Sequence, residues 1–393
     1  MKLTRIIAVV CLAALLSGCS GGSVYSNYRE IEQLMVIQTM GFDYAKSGVR
    51  LSASSGSDSA GGGGGGGNAK GGGQGGSAQV ARLSAEAESF SLAKERMQDY
   101  SAREDLYFAH TSYIAVGGES AKKSVMPFFD YIERSPELRL DIPLFVVTNG
   151  AASELVLGAG GESYDATSVL RSLERNLTLR GDGVIYNAAQ IVTALDTNGC
   201  ALISAVKAVK ADESVKEAKQ SELTAIPDGY TVIKNGKAVG SIPIEYARGV
   251  NILQNKVGPS SVELDTDGTR ATVQLDKCSC DINPVFDGEH LAGLDIQITL
   301  TAALSETADS IETQKLSRAL ANTAKLWVTK VLGISQSLEC DFLQLGSVLE
   351  RKEPKRLAGM SSDLSESLPS IYYNVGVEAE VNRSFDVGLG SSK

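Results

Sequence analysis

Strand-like and helix-like hydrophobic patterns alternate along most of the chain. Glu32 to Met40 and Val49 to Ala53 are β-rich runs, joined by a turn that the order Gly41-Phe42-Asp43 through Gly48 predicts. Residues 79–88 fit a strand and a helix equally well. Ser89 to Tyr100 sets Leu92, Ala93, Arg96, Met97 and Tyr100 at helical spacing. Leu106 to Val116 alternates as one strand and stops at Gly117-Gly118. Ala121 to Ile132 carries Val125, Phe128, Phe129 and Ile132 along one helical face, with Pro127 in the first turn of its second half. Ile142 to Thr148 reads as a buried strand and Ala151 to Leu157 as a short helix. Beyond a loose stretch from Gly158 to Gly161, the expected strands are Val184 to Leu195, Ala201 to Val209 and Tyr230 to Val239. Past Ser260, strands are expected at Thr269 to Leu275 and Leu294 to Leu304. One long helix spans Ser310 to Leu332, with Ile311, Leu316, Leu320, Ala324, Trp327 and Val331 as its core-facing stripe. Ser347 to Arg351 either extends that helix or turns, and Ile371 to Val381 alternates as a last strand.

Mixed strands and helices of this kind predict an α+β protein. The expected organisation is three mixed α/β domains with antiparallel or mixed sheets: 28–160, a β-rich middle domain at 161–258, and 259–393. In the third, a sheet packs on the long helix 310–332. Residues 61–76 read GGGGGGGNAKGGGQGG, a flexible coil by composition. The stretch 56–78 is read as a loop inside the first domain, because two strands before it are marginal alone. The lysine-rich piece Lys207 to Lys219 reads as a solvated hairpin or short helix.

The beginning of the chain changes this picture. Lys2 and Arg5 precede an apolar run, Ile6 to Leu16, that is shorter than the ~20 residues a membrane-spanning helix needs. Small residues and a cysteine follow, Leu16-Ser17-Gly18-Cys19. A charged head, a short apolar run and small residues make a secretory leader, residues 1–18. The four residues up to Cys19 look like a bacterial lipobox, cut just before a cysteine that carries diacylglycerol. Two acyl chains give stable anchoring, and residues 19–27, rich in serine and glycine, supply a soluble tether. The formal charge of −10 from 37 basic and 47 acidic residues argues against nucleic acid as a partner and against electrostatic attachment to anionic lipid. The expected location is therefore the extracytoplasmic face of a membrane, held by lipid on Cys19.

Four of the six cysteines remain after the leader and the lipid site: Cys200, Cys278, Cys280 and Cys340. Cys278-Ser279-Cys280 on a strand puts both thiols on one face. With two histidines and no second cysteine pair, a structural metal site lacks its other half. Free, partly buried thiols are the default; a disulfide from Cys200 or Cys340 to one of the pair is the alternative. GCSGG at 18–22 matches the nucleophile-elbow spacing but has neither a strand before it nor a helix after it. The poly-glycine run is not followed by the GK[ST] of a phosphate loop. Nothing in these residues calls for a cofactor.

Several motifs in order resemble the Ger(x)C family, the lipoprotein C subunits of spore germinant receptors. Arg29-Glu30-Ile31-Glu32-Gln33-Leu34 and Gly41-Phe42-Asp43 match the family's opening segment. His110 followed by Gly118-Glu119 fits its H…G-E stretch. Asp130 to Arg139, with Arg134, Glu137 and Arg139, resembles its D-x-x-x-R-x-P-E-L-R segment, and Asn149-Gly150-Ala151-Ala152 sits at its K-G-x-A-type turn. Cys340-Asp341 through Gly346 and Pro354 resemble the D-x-x-G-x-G…P region, with Gln344 in place of the first glycine. The resemblance implies a three-domain mixed α/β protein held by lipid on the outer face of the spore's inner membrane. It implies an A subunit and a transporter-like B subunit as partners in sensing small nutrients.

Three functions follow for comparison. A non-enzymatic receptor subunit agrees with the lack of a nucleophile–base pair, of H-E-x-x-H and of a phosphate cradle. His110, in an expected alternating strand, reads as structural before it reads as a general base. Arg134, Glu137 and Arg139 are either a partner-facing patch or an internal salt-bridge network. A solute-binding lipoprotein would need two similar lobes, and the domains look unlike one another. A cell-wall-active enzyme would need a carboxylate pair across a cleft; the adjacent Asp212-Glu213 lies in a lysine-rich run.

Overall fold

The computed structural model describes residues 33–46, 48–56, 80–101, 105–158, 164–210, 223–266, 268–307 and 311–382, without the side chains of residues 362 and 363. Nine strands form the larger sheet: β1 (Leu34–Ala45), β2 (Gly48–Ser55), β3 (Arg82–Ala87), β4 (Asp105–Tyr107), β5 (Tyr113–Gly117), β6 (Leu144–Val147), β7 (Cys200–Lys210), β8 (Leu223–Lys234) and β9 (Lys237–Ile242). Their order is β3-β2-β1-β5-β6-β7-β8-β9, with β4 pairing with the start of β1. The central strands β1, β5, β6 and β7 are parallel, and the flanking pairs are antiparallel. Parallel neighbours need crossovers long enough to hold helices. Among the described residues six helices occupy these connections: α1 (Phe90–Tyr100), α2 (Gly118–Lys123), α3 (Met126–Arg134), α4 (Ala152–Leu157), α5 (Ala166–Arg180) and α6 (Ala188–Asn198).

Both faces of the sheet are covered, so the central strands lose the half-polar alternation of an exposed sheet. All five residues of β5 and all four of β6 are buried. Ile114, Val116, Leu144 and Val146 face one core with Phe42, Phe90 and Phe128, whose rings lie 5.0–5.8 Å apart. Tyr113, Ala115, Phe145 and Val147 face the other, against Leu155 of α4 and Leu170 and Leu173 of α5.

The second sheet has the order β10 (Ser260–Thr266), β11 (Thr269–Asp287), β12 (His290–Thr307) and β13 (Tyr372–Asn382). β11 and β12 form a long antiparallel hairpin, and β13 joins β12 in parallel. α7 (Ala247–Leu253) leads into this half; α8 (Thr313–Leu338), α9 (Leu345–Lys352) and α10 (Met360–Ser367) complete it. α8 buries Leu316, Leu320, Ala324, Val328, Val331 and Leu332, so the expected sheet on one long helix is present. Val328 joins the stripe, and Trp327, half-buried, packs against the same core with its ring under the guanidinium of Arg248, 5.5 Å away.

Three local expectations are corrected. Gly41-Phe42-Asp43 is not a turn but the buried middle of β1, with Gly41 opposite Ser52 and Asp43 opposite Arg50. The run Leu106 to Val116 is broken into β4 and β5 by a turn closed by the Thr111 N–H on the Phe108 carbonyl (3.0 Å). Val184 to Leu195 is not a strand. Asn187 and Gln190 form a reciprocal capping box that starts α6 and overrides the β-branched residues around it. Within the stretch 79–88, Arg82–Ala87 forms β3. The border expected between residues 160 and 161 falls within the connection between β6 and β7, strands that hydrogen-bond directly as Phe145–Ser204 through Val147–Val206. Segments 28–160 and 161–258 thus contribute to one continuous sheet. The glycine-rich stretch connects β2 to its antiparallel neighbour β3, where Ser54 faces Arg82. Most of it, the leader, the tether and residues 211–222 lie outside the described residues.

Candidate functional site

Four of the expected motif residues, Gly41, Asp43, Asp341 and Gly346, lie in two buried knots, and each knot is built on an aspartate. Asp43 is 3% exposed at the C-terminal part of β1. Its Oδ1 accepts the Ala152 N–H (2.9 Å) and its Oδ2 the Ser153 N–H (2.8 Å), the free donors at the start of α4. A carboxylate there also complements the positive end of the helix. Gly41 lets α4 approach: a Cβ on it would lie 2.9 Å from Val156 Cγ2 and 3.2 Å from Ala152 Cβ. The Gly118 N–H bonds to the Gly150 carbonyl (3.2 Å), and the Ser120 hydroxyl accepts the Tyr44 N–H (2.9 Å). Three separated motifs, Gly41-Phe42-Asp43, Gly118-Glu119 and Asn149 to Ala152, therefore meet at the C-terminal ends of the parallel strands. In open sheets that edge is where ligands bind; here a protein carboxylate and a helix start fill it.

Asp341 repeats the device in the second half. It is fully buried, and its Oδ1 and Oδ2 accept the Leu345 and Gly346 N–H groups, both at 2.8 Å, at the start of α9. Burial raises its pKa to about 7 against the lowering effect of those bonds. Gly346 is required by close approach, since a Cβ would stand 2.2 Å from the Met360 carbonyl oxygen. Gln344, the departure from the motif, adopts the left-handed conformation (φ 58°) that glycine favours. Its amide donates to the Cys200 carbonyl (2.8 Å) and the Asn198 Oδ1 (3.2 Å), tying α9 to the start of β7.

The other expected residues are not brought together. His110 is exposed in the turn between β4 and β5, with its ring 5.6 Å from Tyr107. Glu119 is exposed and pairs with Lys122 (2.7 Å). Arg134 pairs with Asp130 (2.7 Å), Arg139 with Asp141 (2.8 Å) and Glu137 with Lys94 (2.8 Å), three separate ion pairs rather than one network. Arg134, Glu137 and Lys94 do line one open cleft of about 460 Å³ beside Tyr131. Burial, with Glu137 nearby, pushes the Tyr131 hydroxyl up to about 12. Cys19, Arg29 and Glu30 lie outside the described residues.

All four described cysteines are free, which removes the alternative disulfide to the Cys278–Cys280 pair. Burial pushes the Cys278 thiol up to about 11 and the Cys280 thiol up to about 12, disfavouring the reactive thiolate. Among the described residues no group of three or more His, Cys, Asp or Glu side chains is placed to hold a metal ion.

A larger cleft, about 490 Å³, opens between α6 and β7 of the first sheet and β11 and α9 of the second half. Ile191, Ala194, Leu202, Leu253, Phe342 and Val348 are among its apolar wall residues. Asn255 fastens one wall: its amide accepts the Cys280 N–H and donates to the Cys280 carbonyl, both at 2.7 Å, on the edge of β11 beyond its pairing with β10. Lys256, Arg351 and Lys352 stand among its lining residues with a single carboxylate, Asp281. Lys352 is committed to Asp281 and to Asn283 Oδ1 (2.9 Å). These residues carry no sequence motif.

Fold and knots together define a two-sheet mixed α/β scaffold whose shared motifs tie elements to one another. Residues 27–208 match the family model "Spore germination protein N-terminal domain", and residues 228–385 match "Spore germination B3/ GerAC like, C-terminal". The chain belongs to the Ger(x)C-like family of spore germination proteins. The crystal structure of the GerBC protein is similar with a TM-score of 0.56 at 13% identity, over 87% of this chain and 96% of that one, a likeness of fold. Among curated proteins nothing matches.

Proposed function

We propose that the protein is a non-enzymatic subunit of a nutrient germinant receptor, anchored by diacylglycerol on Cys19 to the extracytoplasmic face of the spore's inner membrane. The observation that carries the reading is the match of both family models in order along one chain. The leader pattern ahead of the first match supplies the anchor, and no described helix is long and apolar enough to cross a membrane. The motif carboxylates support a scaffolding role, because each is fully occupied by backbone donors of its own chain. The partners in this reading are two membrane-embedded subunits, A and B. Exposed motif residues His110, Glu119, Arg134 and Arg139, which no knot consumes, are the surface offered to them.

Affinity purification of the tagged protein from detergent-solubilised spore inner membranes tests this reading. Recovery of two membrane-spanning subunits in fixed proportion is expected. Recovery of the tagged chain alone, under conditions that keep membrane complexes intact, contradicts it.

A further inference from the structure

We propose that the cleft between α6, β7, β11 and α9 binds a small organic anion with an apolar body. The observations are its size, its lining and its charge. A volume of about 490 Å³ falls in the ~300–1,000 Å³ range of small-molecule sites. Ile191, Leu202, Phe342 and Val348 offer an apolar bed. Two cations there have no carboxylate partner among the described residues. Arg351, on α9, makes no ion pair, unlike its neighbour Lys352. Lys256 stacks its ammonium over the Tyr186 ring, 5.2 Å from the centroid, and partial desolvation lowers its pKa. Tyr186 itself is held from behind, its hydroxyl donating to Gln254 Oε1 (2.8 Å).

Two cations without a carboxylate partner among the described residues, beside an apolar bed, select a ligand with one anionic head and a greasy body. A guanidinium offers a planar fork that matches a carboxylate, and the ammonium adds a point charge. A neutral analogue of equal shape keeps only the apolar term. The cleft walls come from both halves of the molecule, and the Asn255 amide on Cys280 fastens one of them. An occupant would therefore contact both halves at once. This binding site stands on its own geometry, whether or not the chain works inside a receptor.

The test uses the mature chain from Cys19 onward and isothermal titration with 3-phenylpropionate, 3-phenylpropanamide and acetate. Binding of 3-phenylpropionate is expected at least tenfold tighter than that of the amide or of acetate. Lys256→Met with Arg351→Met, both exposed and checked for fold by circular dichroism, is expected to lower the affinity at least tenfold. Val348→Trp, which fills the bed and leaves both charges, is expected to abolish binding. The proposal is overturned if 3-phenylpropionate fails to bind at millimolar concentration, if the amide binds as well as the acid, or if either variant keeps wild-type affinity.

Discussion

Removing the Asp43 carboxylate should loosen the start of α4 and with it the meeting point of three motifs. In Asp43→Ala, the Ala152 and Ser153 N–H groups lose charged acceptors at 2.9 and 2.8 Å in a site that water does not reach. A hydrogen bond to a charged group contributes about 1.5 kcal/mol or more, so two lost bonds predict about 3 kcal/mol. Asp43→Asn keeps one acceptor but sets an amide NH₂ against the second donor, and about 2 kcal/mol is expected. The assay is hydrogen exchange of the α4 amides together with urea unfolding. Three kcal/mol corresponds to roughly a hundredfold loss of protection, concentrated at residues 152–157 if opening is local. The control is Arg134→Ala, whose side chain is 79% exposed in its pair with Asp130; surface pairs of that kind contribute about 0–1 kcal/mol. If Asp43→Ala destabilises no more than Arg134→Ala, the carboxylate is not the cap described here.

Asp341 predicts a pH dependence with a definite sign. Its carboxyl titrates at about 7 in the folded chain against about 3.9 unfolded. The folded form therefore holds the proton more tightly. Its contribution is fully present below about pH 4 and is lost as pH rises through 7, on the order of 4 kcal/mol across the window. Subtracting the urea-unfolding profile of Asp341→Asn from that of the wild type should expose this slope, and parallel profiles would refute it. Gln344→Ala keeps the left-handed backbone but loses the amide bonds to Cys200 and Asn198. It should destabilise by about 1–2 kcal/mol, whereas Gln344→Gly, relieved of strain, should fall closer to wild type; urea midpoints decide the order. Double substitution of Arg134 and Arg139 by Ala should leave stability within about 1 kcal/mol yet reduce co-purification with the membrane subunits. Unchanged recovery would take that surface out of the partner interface.

What the sequence made legible was whatever one element could specify alone. The stripe Leu316, Leu320, Ala324 and Val331 marks α8 because a single face repeats over many turns. Pro127 marks the start of α3 for reasons confined to its own first turn. Errors arose where a distant partner decides. Gly41-Phe42-Asp43 reads as a turn locally but is a strand, because α4 packs on Gly41 and takes its cap from Asp43. The β-branched run around Val192 lost to a capping box at Asn187. Gln344 looked like a broken motif, and only the packed structure shows its amide bonded to residues near 200. The large cleft was invisible for the same reason: its walls lie far apart in sequence, and no local pattern joins Lys256 to Arg351.

The most direct test of the receptor reading is nutrient-triggered germination of spores that lack this chain, beside spores carrying Cys19→Ala. The account predicts loss of the response to one nutrient class in the deletion and the same loss, complete or nearly so, in Cys19→Ala. A deletion strain that germinates normally with every nutrient contradicts the assignment of the chain to a germinant receptor. Normal germination in Cys19→Ala beside a failing deletion contradicts the lipid anchor and leaves partner contacts to hold the chain in place.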